Sequence, residues 1–229
     1  MADRAVIFDM DGVLVDSYQP HFKAWQRTAA KHGLELTDQQ FAAYFGRTGR
    51  EFISVLWGDR IPQDQAPAFD AEKEICYRQV LEELFPEMPG ASKLLRELHQ
   101  AGFGLAIGSS GPPENVALVV RCLPAGGLFQ ATVHGMEVSA GKPDPAVFLL
   151  AAKKLGISPH RCAVIEDAPA GIEAARRAGM AVIALTGTGP RSKLDPAHMV
   201  VNSLLDLSPK RIAGLIDHHV GATAGKILS

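Results

Sequence analysis

Beyond residue 89 one unit recurs: an amphipathic helical stretch, a glycine that stops it, then a short apolar run rich in Val, Ile or Leu. Ala91, Leu94, Leu95, Leu98 and Ala101 fall at helical spacing before Gly102, and FGLAIGS follows as a buried strand. Val147 to Leu155 closes on Gly156 ahead of CAVIED, and Ile172 to Ala178 closes on Gly179 ahead of AVIAL. Strands that are apolar on both faces and alternate with helices leave few folds open. They predict a parallel sheet covered by helices. RAVIF, residues 4–8, supplies a similar strand at the start.

The interval from Asp16 to Glu87 differs in kind, because only helical patterns occur in it. One helix is expected over His21 to His32 and another over about Ala66 to Leu84. Between them Thr37 with Gln40 and Thr48 with Glu51 have capping-box spacing, in which the Thr hydroxyl and the later side chain satisfy free backbone N–H groups. The expected organisation is therefore an α/β, Rossmann-like parallel-sheet core of residues 1–15 and 88–220, interrupted by an all-helical insert, residues 16–87. Hinges fall near Leu14 to Tyr18 and Phe85 to Gly90, and residues 221–229 read as a frayed tail.

Composition narrows the function. A formal charge of −2 and a pI near 6.4, with no Lys or Arg stripe, give no footprint for nucleic acid. Cys76, Cys122 and Cys162 are odd in number and outside any CxxC spacing, and read as reduced core thiols. The opening MADRAVIFDMDG carries three acidic residues where a signal peptide needs a long apolar stretch, and no apolar run reaches membrane-spanning length. A soluble cytoplasmic enzyme is expected, with no membrane partner. Nothing in the sequence sets an oligomeric state.

In a parallel α/β sheet ligands gather beyond the carboxyl ends of the strands. Polar groups stand at four such places: Asp9 with Asp11, Ser109 with Ser110, Lys142 in GKPDP, and Glu166 with Asp167. Each alone has a simpler reading, since an Asp after a strand commonly forms a turn or caps a helix, and paired serines fill loops. Together, four carboxylates at one mouth would repel and raise one another's pKa unless cations compensate, and one lysine is too few. A divalent ion with oxygen ligands meets the need. Mg²⁺ binds through one or two carboxylates plus substrate phosphate, which makes phosphate the natural substrate group.

These residues, in this order, resemble the haloacid dehalogenase-like superfamily. The strand followed by Asp9-Met10-Asp11-Gly12-Val13 is similar to its first motif, Ser109 in LAIGSS to its second, Lys142 in GKPDPAVF to its third, and Glu166-Asp167 in VIEDAPAGIEAARRAG to its fourth. The resemblance covers residues 4–205, and the helical insert resembles the cap of the branch containing β-phosphoglucomutase and many small-metabolite phosphatases. It implies that Asp9 is the nucleophile and Asp11 the acid and base, with Ser109, Ser110 and Lys142 holding phosphate. It implies a Mg²⁺ held by Asp9, the Asp11 backbone carbonyl and Asp167, with Glu166 as a further, water-mediated candidate. The second acid of the first motif, Asp11, points away from dehalogenation and toward phosphate chemistry.

Substrate contacts from the insert are expected from His21 and Trp25, in a stretch resembling the HFxAW of β-phosphoglucomutase, and from Arg47 and Arg50. A plainer reading pairs His21 and Trp25 on one helix face as packing. Lys73 and Arg78 are expected to be solvated. Gly111-Pro112-Pro113-Glu114-Asn115 stands where the mutases tend to carry a Lys-Asn pair for the nontransferred phosphate. The sequence thus favours a Mg²⁺-dependent phosphatase acting on a small phosphorylated metabolite, a sugar phosphate in particular. A phosphosugar mutase is the alternative, and a noncatalytic ligand-sensing or partner-binding module the remote one. Gly187-Thr188-Gly189-Pro190-Arg191-Ser192-Lys193 lacks the Gly-Lys-Ser/Thr ending of a phosphate loop and reads as a loop. His218-His219 and the missing HExxH give no support for zinc.

Overall fold

The structure, a computed structural model, describes residues 2–187 and 191–227. Residues 188–190 of the rejected phosphate-loop candidate lie outside them. The chain divides into two compact units, Met1–Val15 with Glu87–Ser229, and Asp16–Pro86.

Strand β1 (Ala5–Phe8) is buried along its whole length. It ends in a tight turn in which the Met10 carbonyl accepts the N–H groups of Leu14 at 2.9 Å and Val15 at 3.2 Å, and Gly12 N–H donates to Val15 O at 2.8 Å. Gly12 has φ +78°, a conformation that only glycine adopts without a Cβ clash.

The helical unit consists of α1 (Tyr18–Lys31), α2 (Asp38–Tyr44), α3 (Gly49–Trp57) and α4 (Ala66–Glu83). The first helix starts earlier than its apolar period suggests, with Pro20 in the first turn, where a missing N–H costs nothing. Both capping boxes form: Gln40 N–H donates to Thr37 Oγ1 at 3.2 Å and Glu51 N–H to Thr48 Oγ1 at 3.3 Å. The core is aromatic, with Trp25, Phe41, Phe52, Trp57 and Phe69 buried together. Arg27 joins α1 to α4 through a two-pronged pair with Glu83, both contacts 2.9 Å.

The second unit adds α5 (Ala91–Gln100), β2 (Gly104–Gly108), α6 (Pro113–Cys122), β3 (Ala131–Val133), α7 (Ala146–Leu155), β4 (Cys162–Glu166), α8 (Pro169–Arg177), β5 (Ala181–Leu185), β6 (Met199–Val201) and α9 (Pro209–Ile227). The sheet is parallel throughout, in the order β3-β2-β1-β4-β5-β6. The expected glycine stops Gly102, Gly156 and Gly179 all have positive φ. The edge strands β3 and β6 escape the sequence reading because three residues are too few for a periodicity.

Two expected boundaries move. Glu87 belongs with the sheet unit, where it pairs with Val15 and its carboxylate accepts Ser92 N–H at 2.7 Å, capping the start of α5. Of the expected tail at 221–229, residues through Ile227 are helical as the last part of α9, and residues 228 and 229 lie outside the described residues.

Candidate active site

The chain winds from β1 outward to β3 and then crosses back to β4 on the other side of β1. The crevice of such a sheet lies beyond the carboxyl ends of the strands where winding reverses. Phe8 is in register with Ile107 of β2 and Ile165 of β4, so Asp9 leaves β1 beside Gly108 and Glu166. Asp9 N–H donates to Ile165 O at 2.9 Å, which continues the ladder one residue past the strand and fixes the nucleophile candidate.

Lys142 reaches this point from the loop before α7. Its Nζ donates to Asp9 Oδ1 and, at 2.9 Å, to Glu166 Oε1, and lies 4.7 Å from the centre of the Phe148 ring. All three groups are buried almost completely, Lys142 keeping 9% of its side-chain surface. Burial raises the Asp9 carboxyl to about 7; Lys142 opposes the rise, and Glu166 and Asp11 add to it. Burial by itself would push the Lys142 ammonium down, but Asp9 and Glu166 outweigh it and hold the lysine above its ordinary value.

Glu166 has both oxygens engaged. Oε1 takes Lys142, and Oε2 accepts the N–H groups of Asp167 at 2.7 Å and Ala168 at 2.6 Å. The closeness of Gly171 is what leaves room for it, since a Cβ there would overlap the Glu166 carboxylate. A Cβ on Gly12 would likewise overlap the carboxylate of Asp167. The first motif is thus packed directly on the fourth.

Among the described residues Asp9, Glu166 and Asp167 form the acidic group that could hold a metal ion, each offering an oxygen within 4.8 Å of the others. An anionic all-oxygen set suits a hard divalent cation and not a soft one. Asp11 is half-buried, and its backbone pairs with Val15 in the turn. Ser109 is buried, its N–H donating to Val133 O at 3.0 Å and its Oγ accepting Gly111 N–H at 3.0 Å, while Ser110 is exposed.

In the helical unit His21 stacks flat on Tyr77, ring centres 3.9 Å apart. Trp25 is buried against Phe52 at 4.4 Å and belongs to the aromatic core, as the packing reading anticipates. Arg47 and Arg50 are exposed, Arg47 lying over the Tyr44 ring. Lys73 is a correction: it is buried, not solvated, with Nζ 2.6 Å from Glu74 and within 5.5 Å of the centres of the Trp25 and Tyr77 rings. Its signal in the sequence is a lysine standing in the apolar stripe Phe69, Cys76, Tyr77, Val80 of α4. Arg78 is half-buried, again not the fully solvated group expected, because it borders that same stripe.

A parallel α/β sheet with a buried lysine shared between acids at the ends of two neighbouring strands defines a class of enzyme that handles small anionic groups at the sheet's carboxyl edge. Residues 4–179 match the family of haloacid dehalogenase-like hydrolases, and the chain belongs to it. Hexitol phosphatase A of Escherichia coli (strain K12) is 33% identical over 206 residues, 89% of this chain and 93% of that protein. Beta-phosphoglucomutase of Bacillus subtilis (strain 168) is 32% identical over 212 residues, 90% and 92% of the two chains. The crystal structure of beta-phosphoglucomutase from Clostridium difficile superposes with a TM-score of 0.80 at 26% identity, covering 96% of this chain and 99% of that one. Among the described residues no helix is long and apolar enough to cross a membrane.

Proposed function

We propose that the protein is a Mg²⁺-dependent phosphatase of small phosphorylated metabolites, sugar phosphates in particular, working through an aspartyl-phosphate on Asp9. The observation that carries this reading is Lys142 held between Asp9 and Glu166, beside Asp167. A carboxylate whose charge is offset by a fixed ammonium can meet an anionic phosphate without prohibitive repulsion.

Asp9 attacks phosphorus in line, the ester P–O bond breaks, and Asp11 gives its proton to the departing oxygen. Asp11 then takes a proton from water, which attacks the same phosphorus, releasing phosphate and returning the Asp9 carboxylate. Lys142 and Ser109, with the N–H groups around Ser110, hold the phosphoryl oxygens. Asp9, Asp167 and the Asp11 carbonyl would hold Mg²⁺. Glu166, whose oxygens are taken by Lys142 and two amides, would join that set only through water. When bound, the ion supplies charge neutralisation of the transferred group. The free thiols of Cys76, Cys122 and Cys162 fit a reducing compartment, in keeping with a cytoplasmic enzyme.

The second reading is a phosphosugar mutase, favoured by the mutase relatives and by His21 in the helical unit. Against it stand Pro112 and Pro113, which offer no donor to a second phosphate. A noncatalytic module is disfavoured because Asp9, Asp11 and Lys142 are all retained. The deciding experiment incubates the protein and Mg²⁺ with a panel of phosphorylated sugars and polyols, measuring free phosphate and isomer products together. Phosphate release abolished by Asp9→Asn supports the phosphatase. Bisphosphate-dependent conversion of β-glucose 1-phosphate to glucose 6-phosphate, outrunning phosphate release, would overturn it in favour of the mutase.

A further inference from the structure

The 3-10 turn Gly135–Glu137 that follows β3 contributes nothing to the chemistry above, yet it is packed against the loop that would hold phosphate. Gly135 N–H donates to Gly111 O at 3.0 Å. A Cβ on Gly135 would run into the Ser110 carbonyl oxygen and stand 3.0 Å from the Ser110 carbonyl carbon. Gly135 is not among the residues of positive φ, so alanine suits its backbone and only the contact forbids a side chain.

The turn is itself anchored. Glu137 accepts His134 N–H at 3.1 Å through Oε1 and meets Lys154 Nζ at 2.5 Å through Oε2. Lys154, on α7, also donates to Thr132 O at 2.7 Å, so one ammonium ties the end of β3 to the turn. Ser109 N–H donates to Val133 O at 3.0 Å, two residues before the turn begins. The loop Ser109–Gly111 is therefore held from both its ends by the segment Thr132–Glu137.

We propose that the Gly135–Glu137 turn, pinned by Lys154, is the rigid backing of the phosphate-holding loop, and that Gly135 is a positioning residue for the reaction. The inference rests on the phosphatase reading. A methyl group at position 135 would force the Ser110 carbonyl away and rotate the peptide planes on either side of it. That moves the Ser109 hydroxyl and the loop N–H groups from their places, and positioning errors of about an ångström cost on the order of a hundredfold in rate. The Asp9, Lys142 and Asp167 cluster sits on other strands and loops and is untouched.

The experiment compares the full chain with its Gly135→Ala and Lys154→Met variants. It measures kcat and KM for the best phosphate ester, inhibition by inorganic phosphate, and Mg²⁺ affinity by calorimetry. In Gly135→Ala the expected result is a rise of about tenfold or more in both KM and the phosphate inhibition constant, a lower kcat, and Mg²⁺ affinity within about twofold of the parent. Lys154→Met should move the phosphate inhibition constant in the same direction by a few-fold, and it decides the matter if Gly135→Ala does not fold. Phosphate inhibition and KM unchanged in the folded variants, with an active parent, would overturn this inference alone. A parent that turns over no phosphate ester would instead remove the reading beneath it.

Discussion

Glu166 holds Lys142 at 2.9 Å with one oxygen while its other oxygen is fixed by the backbone N–H groups of Asp167 and Ala168. A glutamate held at three points cannot follow a moving lysine, so the ammonium is presented to Asp9 at a set place. The arrangement has a cost as well as a use. Two carboxylates and one ammonium are out of water together, and removing the ammonium leaves like charges facing each other without compensation.

Lys142→Met is therefore expected to lower stability by about 3–5 kcal/mol in the absence of divalent cations, the range for breaking a buried ion pair. Saturating Mg²⁺ should restore part of that loss, because a cation between the acids replaces some of the missing charge. Urea denaturation with and without Mg²⁺ checks both halves. Turnover should fall by about a thousandfold even with Mg²⁺ present, as the phosphoryl oxygens lose a fixed positive charge.

Gly12 couples the turn after β1 to the metal-ligand candidate Asp167. Gly12→Ala would meet two penalties: a left-handed backbone, about 1–2 kcal/mol for a residue with a side chain, and a methyl inside the space of the Asp167 carboxylate. Gly156 supplies the control, being at φ +69° with open space around it. Gly156→Ala should lose comparable stability and keep its Mg²⁺ affinity, whereas Gly12→Ala should bind Mg²⁺ at least about tenfold more weakly. Calorimetric titration of both variants separates backbone strain from damage to the site. Equal Mg²⁺ affinity in the two would exclude the coupling.

The sequence carries the sheet and the acids for different reasons. The three glycine-stopped helices and their buried strands are local patterns, so α5, α7 and α8 can be read without knowing what they touch. Asp9 and Lys142 lie 133 residues apart, and in the sequence only the rule that polar groups collect past strand ends brings them together. The three-way hold on Glu166 is not legible, because it depends on peptide N–H groups whose direction is set by the turn after β4. The burial of Lys73 is hidden from the sequence for a related reason: a lysine on a helix is ordinarily solvated, and its burial requires the rings of Trp25 and Tyr77, supplied by α1 and α4 after they pack.

His198 gives a pH prediction away from the site. Its Nδ1 accepts Val182 N–H at 3.0 Å, which requires the neutral ring, and its edge meets His219 at a ring distance of 4.7 Å. Burial first, then His219, Arg176 and His218, lower its pKa below the usual 6.5. The unfolded chain then binds more protons than the folded one between the two values, so this contribution is fully present above about pH 6.5 and is lost as pH falls through and below it. The ring is only partly covered, so the effect is a shallow slope. Denaturation midpoints at pH 8, 6.5 and 5 should decline less in His198→Ala than in the parent; parallel declines would refute the assignment.

Trp25 and Lys73 of the helical unit can be told apart from substrate ligands by conservative changes. Trp25→Ala removes a ring stacked on Phe52 and bordering Trp57 and Phe69, and should cost about 3–5 kcal/mol, as large-to-small changes in well-packed cores do. Trp25→Phe keeps most of that contact and should retain kcat/KM within about threefold, which a residue binding substrate through its indole N–H would not. Lys73→Met keeps an unbranched stem between the Trp25 and Tyr77 rings while deleting a buried charge, so its stability should stay within about 1 kcal/mol of the parent. The Glu74 carboxylate keeps 20% of its side-chain surface exposed, so water reaches it. A loss of several kcal/mol in Lys73→Met would mean instead that the ammonium holds the helical unit together, and thermal melts of the three variants read out the difference.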